Sequence, residues 1–222
     1  MFKLTKLITI GEITDCARLE RALKIASNGP DVHRFILQPT LPGSVNGGDY
    51  IWHLQFSDRT NYEAWKETAE VKSAERLLSD KSSAHHVDAV TYTGGRWGSK
   101  RPLDRGVYRT MLVSLKAEPD KEALVQYEAE TYEMGLYIGG IVNWQISRVE
   151  ESLGSGTWSH IWEQEYASLE GLTRSYMRHP HHWGWINRWY DPECPEHIFG
   201  SQLCHSFCDF TEASLIAPNE IR

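Results

Sequence analysis

The chain has 222 residues, 30 acidic and 23 basic side chains and a 41% apolar share, enough for one large or two small domains with a packed core, so wholesale disorder is excluded. No run approaches the ~18 consecutive apolar residues of a membrane span, and the start alternates in polarity instead of forming the apolar stretch of a signal peptide. Four scattered Cys make no disulfide scaffold, so the expectation is a cytoplasmic protein with reduced thiols and no membrane partner.

Residues 3–13 alternate as a strand. Leu19, Leu23 and Ala26 repeat at helical spacing over 16–27, and Asn28, Gly29 and Pro30 stop that helix. Strands are expected at 32–38 and 50–56, around a Pro/Gly-rich turn region, then a helix over 61–78 and a strand over 84–93. The mixed stretch 94–102 reads as a short linker, which predicts halves that pack together. Beyond it, strands are expected at 108–116, 140–148, 157–165 and 202–210. Helices are expected at 120–134 and 168–178, the latter running on towards residue 190.

The chain repeats itself. At an offset of 107, the segment from Tyr50 to Leu54 falls on the segment from Thr157 to Ile161, so His53 falls on His160. Each half reads strand, helix, strand, strand, helix, strand. The fold class expected is α+β, with two tandem ferredoxin-like βαββαβ-type repeats, 1–95 and 106–215. Each repeat gives an antiparallel sheet with helices on one face and leaves the other face to be covered. Two such units can cover each other, making one pseudo-two-fold dimeric α/β barrel within a chain. A doubly wound parallel fold fits less well, because no Gly-rich loop follows a strand.

Charge is unevenly divided. Residues 1–106 carry a net +2 and residues 107–222 a net −9, and the acidic half holds six of nine Trp and six of ten His. An acidic chain without a Lys/Arg run is a poor ligand for phosphates, so no nucleic-acid partner is expected. The Trp and His suggest a lined pocket in the second half; the plain alternative is core Trp and scattered surface His.

Strand parity sorts those residues. Trp158, His160, Trp162 and Gln164 share one face of their strand, and Ile161 and Glu163 lie opposite. Arg109, Met111 and Val113 share a face of theirs. On the last strand His205 and Phe207 alternate with Cys204, Ser206 and Cys208. An aromatic cavity with few polar groups suits a flat or apolar small molecule. Histidine near its free value of about 6.5 suits proton transfer, and a neighbouring Tyr can donate to it or to a developing oxyanion. His160, His179, His181, His182 and His205 could instead converge on zinc, copper or iron, but the spacing H-x-H-H closes no usual zinc site. No metal is expected.

The segment His160, Ile161, Trp162, Glu163, followed by Tyr176, Met177, Arg178, His179, Pro180, His181, His182, resembles the stress-responsive dimeric α/β barrel domain family. Its members show a Thr-His strand and a Tyr-x-x-His-Pro-x-His helix end. The resemblance extends in element order to both halves. It implies the His/Trp strand faces as the pocket. A plant polyketide cyclase within the family places its catalytic Tyr on Tyr176, its catalytic His on His182 and its strand His on His160. Pocket-lining positions fall on Arg109, Met111, Val113, Trp162, His205 and Phe207; Trp158 and the bulky Trp185 extend the aromatic lining. Arg109 departs from that cyclase, which has a His there, so a different substrate is implied. At the offset of 107 the first half offers Ala69 for Tyr176, Lys72 for His179 and Glu75 for His182, which reads as a degenerate site.

The resulting expectation is a cofactor-independent lyase or cyclase. It would take an aromatic or polyketide-like carbonyl compound through aldol, retro-aldol or decarboxylation chemistry. His182 is acid/base, Tyr176 assists, His160 polarises a carbonyl, and Arg109 holds a carboxylate or phenolate. A group titrating near the free-His value should govern the rate. A non-catalytic stress-response binder and a metal- or haem-dependent oxidoreductase are the alternatives, and a homodimer of tandem chains is a further expectation.

Overall fold

The computed structural model describes residues 1–11 and 15–216. In chain order the elements are β1 (Phe2–Ile10), α1 (Cys16–Ser27), β2 (Val32–Pro39), β3 (Tyr50–Phe56), α2 (Arg59–Lys66), α3 (Ala69–Ser79), β4 (Ala84–Thr93), β5 (Arg96–Ser99), β6 (Gly106–Leu115), α4 (Lys121–Tyr137), β7 (Ile141–Arg148), β8 (Glu151–Leu153), β9 (His160–Tyr166) and β10 (Phe199–Phe210). Three short helical segments, Gly171–Tyr176, His181–Trp185 and Ile186–Trp189, lie between β9 and β10. The fold is α+β. Among the described residues no helix is long and apolar enough to cross a membrane.

The chain forms two compact units. Unit 1 comprises Met1–Gly94, Val149–Thr157 and His205–Cys208; unit 2 comprises Gly95–Arg148, Trp158–Cys204 and the residues from Asp209 on. The sheet orders are β2-β3-β1-β4-β8 in unit 1 and β10-β6-β9-β7-β5 in unit 2. Without the short outer strands β8 and β5 the two orders are the same, since β7, β9, β6 and β10 take the places of β2, β3, β1 and β4.

In unit 1, one face of β1 and β3 presents Phe2, Leu4, Ile8, Trp52, Leu54 and Phe56 to Leu19 and Leu23 of α1 and to Tyr62 and Trp65 of α2. Asp15 starts α1 by accepting from the Arg18 amide at 3.0 Å, and Asn28 closes it by donating to Lys24 O at 2.7 Å. The expected end of the first strand, Ile13, lies outside the described residues.

Three expectations need correction. The helix expected over 61–78 is two helices, because Thr68 is extended and caps α3, its hydroxyl donating to Trp65 O at 2.9 Å. The stretch expected as linker contains β5, which pairs with β7. The helix expected from 168 towards 190 is broken into short segments. The first two wind wide, as in the Met177 amide bonding to Leu172 O at 3.1 Å, and Pro180, which has no N–H, stands between them.

The repeat is real, but its register is not 107. In β1 and β3 the facing pairs are Phe2 with Phe56, Leu4 with Leu54, Lys6 with Trp52 and Ile8 with Tyr50. The matching rungs of β6 and β9 are Val107 with Tyr166, Arg109 with Gln164, Met111 with Trp162 and Val113 with His160. His160 therefore corresponds to Tyr50. His53 points to the other face of its sheet, where Nδ1 meets Thr5 Oγ1 at 2.9 Å and Nε2 meets Gln55 at 3.0 Å. The shared clasp is different: Tyr50 donates to Glu20 of α1 at 2.8 Å, as His160 does to Glu128 of α4 at 2.9 Å.

Trp144 of β7 packs without clearance against two glycines. A Cβ on Gly135 of α4 would lie 2.1 Å from the indole, and one on Gly98 of β5 would lie 2.3 Å from it. Gly135→Ala should therefore destabilise by about 1–3 kcal/mol, the usual cost of overpacking. In a Trp144→Leu background the added methyl should cost much less. Urea melts of the two single variants and the double variant measure this; an additive double variant would be the contrary result.

Candidate functional site

On unit 2, alternation puts Arg109, Met111 and Val113 on the same sheet face as His160, Trp162, Gln164 and Tyr166. Ile161, Glu163 and Glu165 take the other. The first face is the one α4 covers, since Tyr127 and Glu128 of that helix touch His160. The site is built in the layer between sheet and helical segments, the layer that in unit 1 is hydrocarbon.

One cluster centres on Arg109, which is only 3% exposed. Its guanidinium donates to Gln164 Oε1, sits 3.4 Å from Met111 Sδ through Nη2, and lies 4.9 Å from the ring centre of Tyr176. Tyr166 also donates to Gln164 Oε1, at 2.9 Å. Tyr176 is buried and packs its ring 4.5 Å from that of His182. The wide-wound segments thus bring Tyr176 and His182 together beside Arg109. His182 Nδ1, Gln164 Nε2 and Trp162 Nε1 are buried and have no hydrogen-bond partner among the described residues.

Burial, then the positive charge of Arg109 and the neighbouring His179, pushes the His182 imidazole down from 6.5 to about 4. The ring is neutral at neutral pH, and Nδ1 can accept a proton. This value lies below the range expected from sequence, so a flat rate through the neutral range is compatible with a His base.

The second cluster surrounds His160, four residues and so about 13 Å along β9 from Gln164. Both ring nitrogens are engaged, Nε2 with Glu128 and Nδ1 with Ser159 Oγ at 3.0 Å. Tyr127 meets His160 edge-on and shares a hydroxyl hydrogen bond of 2.8 Å with Tyr190. Next to it, buried Glu130 accepts from Arg188 and Trp189 at 2.7 Å and from Gln126 at 2.9 Å. The structure therefore gives His160 a clasping contact, at a distance from His182.

The other expected residues are dispersed. Trp158 and Trp162 are buried, and Trp185 is 46% exposed with Arg188 stacked 4.0 Å from its ring. His205 and Phe207 belong to unit 1, where the backbone of His205 bridges to Val45 and the two rings lie 5.7 Å apart. His181 packs on Tyr137, and its amide donates to His179 Nδ1 at 3.1 Å. Among the described residues no group of three or more His, Cys, Asp or Glu is placed to hold a metal ion. The sequence gave no role to Glu128, Glu130, Tyr166 or Gln164. Parity alone placed Gln164 on the right face.

Residues 107–199 match the family model of the stress responsive A/B barrel domain. No curated protein matches the chain. Among solved structures, an anthrone oxidase-like protein superposes with a TM-score of 0.67 at 8% identity, covering 96% of this chain and 92% of its own. A candidate monooxygenase from Lactobacillus acidophilus NCFM gives 0.56 at 13%, with 98% of each chain covered. Another from Fusobacterium nucleatum subsp. nucleatum gives 0.62 at 7%, covering 98% and 97%. At these identities the likeness is one of fold.

Burial alone would raise the Glu128 carboxyl, but the hydrogen bonds and charges of His160 and Arg148 outweigh it and hold the group at about 2, below its ordinary 4.5. A depressed carboxyl pKa stabilises the fold above pH 4.5, and that stability is lost as pH falls towards 2. The difference in melting temperature between wild type and Glu128→Gln should be full above pH 4.5 and close towards pH 2. A pH-independent difference would remove the electrostatic account.

Proposed function

We propose that the stress responsive A/B barrel domain of residues 107–199 is the catalytic part of a cofactor-independent enzyme. It acts on an aromatic or polyketide-like carbonyl compound by forming an enolate. The observation that carries this is a neutral, buried His182 whose Nδ1 is unpartnered, beside Tyr176 and a buried Arg109. Nδ1 takes a proton from the carbon next to the carbonyl, and the electron pair of that C–H bond becomes the enolate. Tyr176 donates towards the enolate oxygen, and the cation of Arg109 stabilises its charge. In an aldol closure the enolate carbon attacks a second carbonyl of the same molecule, and His182 returns its proton to the new alkoxide. Retro-aldol cleavage runs the same transfers backwards, and decarboxylation ends in the same enolate. His160 acts by holding α4 to the sheet, and reaches a substrate only if its bond to Glu128 opens.

The folds of an anthrone oxidase-like protein and of candidate monooxygenases favour a second reading. An enolate or phenolate formed at the same His182 would pass electrons to dioxygen. Turnover under argon separates the two, since cyclisation and cleavage need no oxidant. A pure binder would keep its affinity in His182→Ala and turn nothing over. With this goes the proposal that repeats 1–95 and 106–215 pair as one pseudo-two-fold barrel, supported by the common strand order of the two sheets. Tandem chains would then associate as a homodimer, testable by analytical ultracentrifugation.

Against a panel of polyketide-derived and anthrone-type phenols, His182→Ala should lower kcat by about 10²–10⁴-fold with an unchanged melting temperature. Tyr176→Phe should lower it by less. The base works when deprotonated, so kcat/KM should be level through neutral pH and fall as pH drops towards about 4. Arg109→Met, which removes the nearby cation, should move that limb to higher pH. A fully active His182→Ala variant sinks the assignment.

A further inference from the structure

The carboxamide of Gln164 has a fixed orientation. Arg109 can only donate, so the Gln164 atom facing it must be the oxygen, and Tyr166 donates to that oxygen as well. The NH2 group is therefore aimed away from both, buried and without a partner among the described residues. Two residues along the same face, the indole N–H of buried Trp162 is equally unpartnered. A buried amide donor left unpaired destabilises a fold. The matching rung of unit 1 shows that this layer accommodates hydrocarbon: Leu4 faces Leu54 where Arg109 faces Gln164. Both orphaned groups on the strand are donors. The remaining one, His182 Nδ1, can accept. Donors for an oxygen, an acceptor for a proton and the flat rings of Trp162 and Tyr176 fit one kind of ligand, a planar molecule with an ionisable hydroxyl or enol.

We propose that Gln164 is a specificity-determining residue of this site, its NH2 binding the ionised oxygen of a planar phenolate or enolate, with the Trp162 indole N–H as the neighbouring donor. This deepens the enolate reading given above and rests on it. Donation from Arg109 into Oε1 polarises the carboxamide and strengthens its N–H bonds to an anion. Gln164 thereby transmits the charge of Arg109 to the ligand without a direct ion pair.

The test uses the whole chain and two probes, 4-nitrophenol and its methyl ether 4-nitroanisole. Absorbance of bound 4-nitrophenol reads its ionisation directly. Wild type should favour the phenolate by about tenfold or more, the scale of one hydrogen bond to a charged group, seen as a lowered pKa of the bound probe, and should bind 4-nitroanisole more weakly. Gln164→Leu, which installs the residue of unit 1, should lose that preference with an equal or higher melting temperature. Gln164→Glu covers the case in which the Leu variant does not fold, and should favour the neutral phenol. The proposal is overturned if the Leu variant, or the Glu variant where the Leu variant does not fold, keeps the phenolate preference. It is equally overturned if wild type binds the ether as tightly as the phenolate, or binds neither. The enolate reading fails separately: turnover unaffected by His182→Ala would defeat it while leaving the Gln164-dependent phenolate preference measurable.

Discussion

The candidate site depends on one rung of one ladder. Antiparallel pairing of β6 with β9 sets Arg109 against Gln164 on the face covered by helical segments. Because side chains alternate, a slip of one residue would carry both to the opposite face. A buried guanidinium needs acceptors, and here the carboxamide oxygen, the Met111 sulfur and the Tyr176 ring surround it. These three partners are neutral. They solvate the cation without cancelling its charge, and that charge adds to burial in holding His182 unprotonated.

A face with such polar groups needs firm support around it. Glu128 and Glu130 are two residues apart on α4, and they tie that helix to different parts of unit 2. Glu128 reaches His160 and Arg148, while Glu130 takes Arg188, Trp189 and Gln126. Glu130 is a buried carboxylate with both oxygens satisfied, the arrangement in which an interior charge is tolerable. Removing a single partner there would leave a charge without compensation, so these contacts define geometry more than they add net stability.

Much of this was legible from residues alone. Alternation in β9 grouped His160, Trp162 and Gln164, and the motif around Pro180 marked Tyr176 and His182. The sheet orders reproduce the element order expected of a duplicated unit. What escaped has physical causes. The offset of 107 matched His53 to His160 by identity, whereas rung pairing makes the offset 105 along β1 and β6 and 110 along β3 and β9. Loop length between strands changed the register, and a sequence alignment without pairing cannot detect that. The clasps of Glu128 and Glu130 arise from tertiary packing on an otherwise ordinary helix. Thr68 resembles any surface Thr until its hydroxyl is seen to cap a helix. The depressed titration of His182 depends on a cation some seventy residues earlier in the chain (Arg109).

The wide winding of Gly171–Tyr176 and His181–Trp185 makes chain length a variable of the site. A regular α-helix advances about 100° per residue, and a wide turn absorbs one residue beyond the regular count. Tyr176 and His182 reach the same ring contact through two such turns and the Pro180 break between them. A deletion of one residue there could be taken up by reversion to ordinary helix, leaving the surrounding layers packed while swinging His182 through roughly a quarter turn or more away from Tyr176. The segment can thus exchange many surface side chains at little cost, yet its azimuthal phase leaves almost no room for insertion or deletion.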